Sequence, residues 1–290
     1  MSLKFTKSSL LALALATSAF ASADGHILAR SYYSGTTVLI QLASDGSALS
    51  TKELKRIPAG GERFAVGQLP GSIPGGADVA LQIGSKVKLY RYDSNGNRVA
   101  AASFNIIGNL VGMGDLDGNG QNEVIYQTDN GSLIGIAASF SKDQSNRSQV
   151  YHFGFVEAQL GGFTTVAGVF NNQVLLQKPG EEYKVRIASF DSTGMTGLTN
   201  YYDPTNDPIH YQPNVWIPVS SAWDQTYDSI GGLINTGGNG QRQVFINHRP
   251  GRVQVEWNFD TTLTSFFRTN DVHIDTPLPN RNYKVLASGN

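Results

Sequence analysis

Cysteine is absent from all 290 residues, so disulfides, thiolate metal sites and a lipidated cysteine are excluded as features of this chain. Lys and Arg stand side by side only once, at Lys55-Arg56, and nothing resembles the basic footprint that nucleic acid or an anionic membrane surface requires. Beyond residue 23 no segment approaches the ~20 apolar residues of a membrane span, and no amphipathic helical pattern stands out. The five histidines, at 26, 152, 210, 248 and 273, lack the His-x-His or His-Glu-x-x-His spacing of zinc sites. No Gly-x-Ser-x-Gly elbow favours a serine nucleophile.

What is present begins with a processing signal. Lys4 and Lys7 open the chain, Leu10 to Ala16 is an apolar run, and Ala21-Ser22-Ala23 offers small residues for cleavage before Asp24. The expectation is an exported protein, periplasmic or secreted, with a mature chain at residues 24–290. Losing the leader and its two lysines leaves 20 basic and 23 acidic residues, a net charge of −3. Thirty-two glycines, fourteen Phe and twelve Tyr, set among short β-branched runs with turn residues between them, point to many strands and few helices.

The strands repeat. Ile27 to Arg30, Val79 to Gln82, Val124 to Gln127, Val174 to Gln177 and Val244 to Asn247 share one pattern, and their first residues lie 52, 45, 50 and 70 positions apart. Periods of about 40–50 residues mark propeller blades. Each segment is followed by an alternating strand, two of them ending in Asp-Ser-x-Gly turns and one in Ser44-Asp45-Gly46, which suit hairpins. Each is preceded by a strand rich in small residues, such as Phe64 to Gly67 and Leu110 to Gly114. The last of these, Tyr283 to Gly289, ends the chain, and joining it to the mature start gives a fifth interval of 50. The expected fold is therefore all-β: a propeller of four-stranded blades, five of them, closed by strand exchange between the two termini so that no edge stays open. The expected repeats are 24–61, 62–107, 108–161, 162–225 and 226–277, with a closing strand at 278–290. An irregular sandwich, an open β-repeat array or a sixth blade hidden in the longest interval are the alternatives.

Residues 112 to 127 hold the most specific motif. Asp115, Asp117, Asn119 and Glu123 place side-chain oxygens at positions 1, 3, 5 and 9 of a tight loop, with the Gln121 carbonyl at position 7. EF-hand loops offer oxygens to calcium in this order, yet position 12 is Tyr126 and an apolar strand follows at once. Gly114 to Ile125 resembles instead the Gly-Asp-x-Asx-Gly-Asx-Gly-x-x-Asp/Glu loop of FG-GAP repeats, found in integrin-alpha-like β-propellers. The resemblance implies one calcium ion in a structural role. The other loops are degenerate: Asn235 to Gln243 has lost its carboxylates, and Asn171-Asn172-Gln173 has shrunk. The competing reading is an Asx-turn loop held by its own hydrogen bonds without metal.

Between Gly197 and Ser229 lies an irregular insertion holding four prolines and Tyr201, Tyr202, His210, Tyr211, Trp216, Trp223 and Tyr227, with two of the three tryptophans of the chain. Long loops on a rigid scaffold carry binding residues, and aromatic faces beside Asp, Asn and Gln suit sugar rings. Tyr201, Tyr202, Trp216 and Trp223 are the candidate ligand-binding residues, for a glycan or a protein surface. The alternative is that Tyr201 and Trp216 pack an outer strand. No catalytic residue is assigned: Asp228 is the only acid within the inner strands apart from the cation loop, where carboxylate catalysis would need two facing groups. A non-enzymatic binding module is favoured over a glycoside-active enzyme or an envelope assembly scaffold.

Overall fold

The computed structural model describes residues 25–31, 34–42, 48–142, 148–159, 165–178 and 181–198, and beyond these the strands within 217–289. The expected leader and its expected cleavage site at Ala23 and Asp24 lie outside the described residues. Among the described residues the chain is all-β without helix, and no helix is long and apolar enough to cross a membrane.

Strands β1 (Gly25–Ser31), β2 (Thr37–Leu42) and β3 (Ala48–Glu53) form an antiparallel meander, followed by a second of β4 (Arg63–Gly67), β5 (Ala77–Ile83), β6 (Lys86–Tyr92) and β7 (Arg98–Asn105). The third sheet holds β8 (Asn109–Gly114), β9 (Glu123–Gln127), β10 (Ser132–Lys142) and β11 (Ser148–Gln159). The fourth holds β12 (Thr165–Phe170), β13 (Gln173–Lys178), β14 (Glu181–Asp191), β15 (Gly194–Leu198) and β16 (Ile217–Pro218). The fifth holds β17 (Tyr227–Ile234), β18 (Arg242–His248), β19 (Val253–Phe259), β20 (Phe266–Phe267) and β21 (Val272–Ile274). The last strand, β22 (Tyr283–Gly289), leaves this order and pairs antiparallel with β1, from His26 opposite Gly289 to Ser31 opposite Tyr283.

The fourth and fifth sheets reach five strands in a particular way. β15 pairs with β14 at Ala188–Asp191 and β16 pairs with it at Lys184 and Val185, so both follow one edge of β14, opposite to the edge that holds β13. The outer strand is thus one row in two pieces. β20 and β21 divide the outer edge of β19 likewise.

The apolar runs are continuous rather than alternating because the sheets are covered on both faces. In β5, Val79 and Leu81 pack with Leu28, Leu39, Val66, Tyr92 and Ala287 toward the first sheet. Ala80 between them packs the other way, with Ala65, Leu89, Leu110, Met113 and Val124 toward the third. In β9, Val124 faces the second sheet, whereas Ile125 joins Val169, Val174, Leu176 and Phe190 of the fourth. The leading strands touch in a cycle: β22 with β4, β4 with β8, β8 with β12, β12 with β17, and β17 with β22. Small residues are needed there. A Cβ on Gly112 would lie 2.7 Å from the Val169 side chain, and one on Gly289 would strike the Val66 carbonyl oxygen.

Two of the polar residues that end the repeated apolar runs tie their sheets to the next. Arg30 donates through Nη2 to the Pro58 carbonyl at 2.8 Å and stacks over Phe64. Gln82 donates to the carbonyls of Gly84 and Gly108 at 2.8 and 2.9 Å, and its Oε1 accepts from the Leu110 amide at 2.7 Å. Both residues thereby grip the chain entering the following leading strand.

The seam between β1 and β22 contains a titratable group. His26 is fully buried, with Nδ1 lacking any hydrogen-bond partner and Nε2 at 3.5 Å from Gln41 Nε2. Burial first, then the Lys52 ammonium, lowers its pKa from 6.5 to about 4. Between these values the unfolded chain binds the proton more tightly than the folded one, so stability is full above 6.5 and falls as pH drops through 4. The loss approaches about 3 kcal/mol. Urea unfolding of wild type and His26→Gln from pH 7 to 4 should show a steeper decline in wild type; parallel curves would rule this contribution out.

Candidate functional site

Three carboxylates meet in the β8–β9 loop. Asp115, Asp117 and Glu123 each offer an oxygen within 4.8 Å of the others. The loop is also braced by its own hydrogen bonds. Asp115 Oδ2 accepts from the Gly120 amide at 2.8 Å, Asp117 Oδ1 from the Asn119 amide at 3.1 Å, and Asn119 Oδ1 from the Gln121 amide at 2.8 Å. Asn119 Nδ2 donates to Asp117 Oδ2 at 2.8 Å. Gly118 and Gly120, at φ of 73° and 86°, supply the left-handed turns that other residues resist. Residues 118–121 are exposed, so Asn119 and Gln121 stand on the solvent side of the cluster.

Glu123 is different. It is 1% exposed, at the first position of β9 opposite Gly114. Its Oε2 accepts from the Leu116 amide at 2.7 Å, while Oε1 is buried and accepts no hydrogen bond. Asp115 Oδ1 is buried and without a donor as well. Leaving a buried carboxylate oxygen unpaired is costly. Burial foremost, with the Asp117 and Asp115 charges adding to it against the pull of the Leu116 amide, pushes Glu123 up to about 8. Burial also raises Asp115. Asp115 and Glu123 thus each keep a buried oxygen without a donor, the kind of group that hard cations take as a ligand.

The second sheet has met the same problem in another way. Asp78 opens β5 opposite Gly67, as Glu123 opens β9 opposite Gly114. Asp78 Oδ2 accepts from the Leu69 amide at 3.0 Å, and Leu69 stands two residues after that glycine, as Leu116 does after Gly114. Both leucines plug the core beneath their loops. On the next strand, however, Asp78 faces Arg91, whose Nε and Nη2 reach its two oxygens at 2.8 and 3.0 Å. Glu123 faces Ala137, which carries no charge. The corresponding pairs in the remaining sheets are neutral: His26 with Gln41, Gln173 with Ser189, and Gln243 with Asn258. An acid at this position is thus balanced by arginine in one sheet, and in the other it is joined by two more acids.

Sequence reasoning did not find this comparison. In the sequence Asp78 is a lone acid ending a glycine- and proline-rich loop, and its partner lies 13 residues away on another strand. The shrunken loop after β12 is a two-residue turn in which Asn171 has φ of 51°. Tyr201, Tyr202, Trp216 and Trp223 lie outside the described residues, as does the loop at 235–241.

No protein-family model matches the chain, and no curated protein matches it either.

Proposed function

We propose that this chain is an exported, non-enzymatic binding module built as a five-bladed β-propeller, closed by strand exchange between its termini, that recognises a carbohydrate or protein surface and is stabilised by one calcium ion. Five antiparallel sheets, the β1–β22 pairing and the cyclic contact of the leading strands support the propeller reading. The observation that carries the calcium is the buried, unpaired Glu123 Oε1 in a cluster with Asp115 and Asp117, opposite Ala137 where the second sheet has Arg91. Asn119 and the Gln121 carbonyl complete the proposed ligand set, as the FG-GAP resemblance implies. The ion neutralises three carboxylates and pins the hairpin.

The binding role is supported by the inequality of the loops. Only one keeps its acids, so one asymmetric site fits better than five equal ones. Tyr201, Tyr202 and Trp216 lie in sequence between β15 and β16, and Trp223 shortly after β16. Leading strands such as Arg63–Gly67 and Asn109–Gly114 carry small and apolar residues, which disfavours paired carboxylates at the axis. A glycan array probed with residues 24–290 in calcium, beside Trp216→Ala and Trp223→Ala, tests the recognition. Binding lost in either variant supports a carbohydrate site there. Binding that both variants retain would place recognition elsewhere, and a silent array leaves the protein-surface arm, tested by cross-linking and mass spectrometry at the same tryptophans.

A further inference from the structure

The cation loop does not stand alone on its face of the molecule. Asn122, between the Gln121 carbonyl and the Glu123 carboxylate, donates through Nδ2 to the Gln68 carbonyl of the second sheet at 2.9 Å. Gln68 returns the contact within its own loop, Nε2 lying 3.4 Å from the Gly76 carbonyl. The neighbouring Gly75 carbonyl accepts from Gln41 Nε2 at 3.3 Å and from Lys52 Nζ at 3.2 Å, both on the first sheet. Polar contacts therefore run from the cation loop across the 68–76 loop to the first sheet. Asn122 is the only link in that series whose two neighbours are both cation ligands in the reading above.

We propose that Asn122 makes the cation loop a latch, so that calcium at Asp115, Asp117 and Glu123 orders the 68–76 loop of the adjacent sheet as well as its own. This rests on the calcium reading. Fixing the backbone on both sides of residue 122 lowers the entropy lost when its amide reaches Gln68, and by linkage the docked loop favours the bound ion. The two loops then act as one ordered surface of the loop face, available to a partner only in calcium.

Hydrogen exchange of residues 24–290 in calcium and in chelator tests this, with calorimetric calcium titration of the same samples. In wild type, calcium should slow exchange at 115–123 and also in 69–76, where the Leu69, Ser72 and Gly76 amides are already bonded. The slowing in 69–76 should be ~two- to tenfold, the range that one hydrogen bond sets. In Asn122→Ala, or Asn122→Ser should that variant misfold, the ion should still bind and protect 115–123 while 69–76 no longer responds. Calcium binding with 69–76 unchanged in wild type, or equally protected in the variant, overturns the latch alone. Absence of binding heat overturns the calcium reading and the latch with it.

Discussion

Asp78→Ala should unfold at far lower urea than wild type, with a loss of about 3–5 kcal/mol, because it strips a buried cation of its counter-charge. Asp78 is fully buried and makes four contacts: Arg91 Nε and Nη2, the Leu69 amide, and Ser72 Oγ at 2.5 Å. Arg91 would keep the Pro70 and Gly71 carbonyls, at 3.1 and 2.5 Å, and its stacking over Phe140. Carbonyl dipoles do not replace a carboxylate for a guanidinium with a side chain only 9% exposed. The double variant Asp78→Ala with Arg91→Met should recover much of the loss, since a buried pair exchanged for apolar groups is often neutral. A single variant within about 1 kcal/mol of wild type, in the range of an exposed pair, would refute the idea that this pair holds the loop.

Calcium should act on stability through a different sheet. In calcium at about 100 times its dissociation constant, the stabilisation is about 2.7 kcal/mol. That raises the melting temperature of a chain this size by roughly 5–10 °C. Chelator should remove the increment. Glu123→Gln keeps the shape and can still accept from Leu116, yet removes the buried charge that draws the ion; it should abolish the calcium response. Asp115→Ala should do the same. Asp78→Ala should lower the melting temperature and still show a calcium increment, reduced only by the share that docking of the 68–76 loop contributes, since its acid is not one of the cation ligands. A melting temperature indifferent to calcium in wild type would leave the hydrogen-bonded Asx loop as the better account.

The all-β class was legible in the sequence because burial on both faces turns strands such as β5 and β9 into unbroken apolar runs. Val79-Ala80-Leu81 shows this directly, its members serving two different cores. The leading strands were legible through their small residues, since backbones approach closely there, as at Gly112. The turn chemistry could be read as well: Asp93 Oδ1 accepts from the Asn95 and Asn97 amides at 2.9 and 2.8 Å, beside Gly96 at φ of 74°. What stayed hidden depends on contacts between strands. That Asp78 needs Arg91, that Gln82 braces Leu110, and that Asn122 reaches Gln68 all require a register, which no local pattern contains. The divided outer strands were hidden because a two-residue strand such as Ile217–Pro218 has no periodicity to detect.

Calorimetric titration of calcium into chelator-stripped protein, residues 24–290, tests the central claim most directly, with Glu123→Gln measured in parallel. The account predicts one site per chain in wild type and none in the variant. Absence of binding heat in folded wild type, or binding that survives both Glu123→Gln and Asp115→Ala, would contradict it.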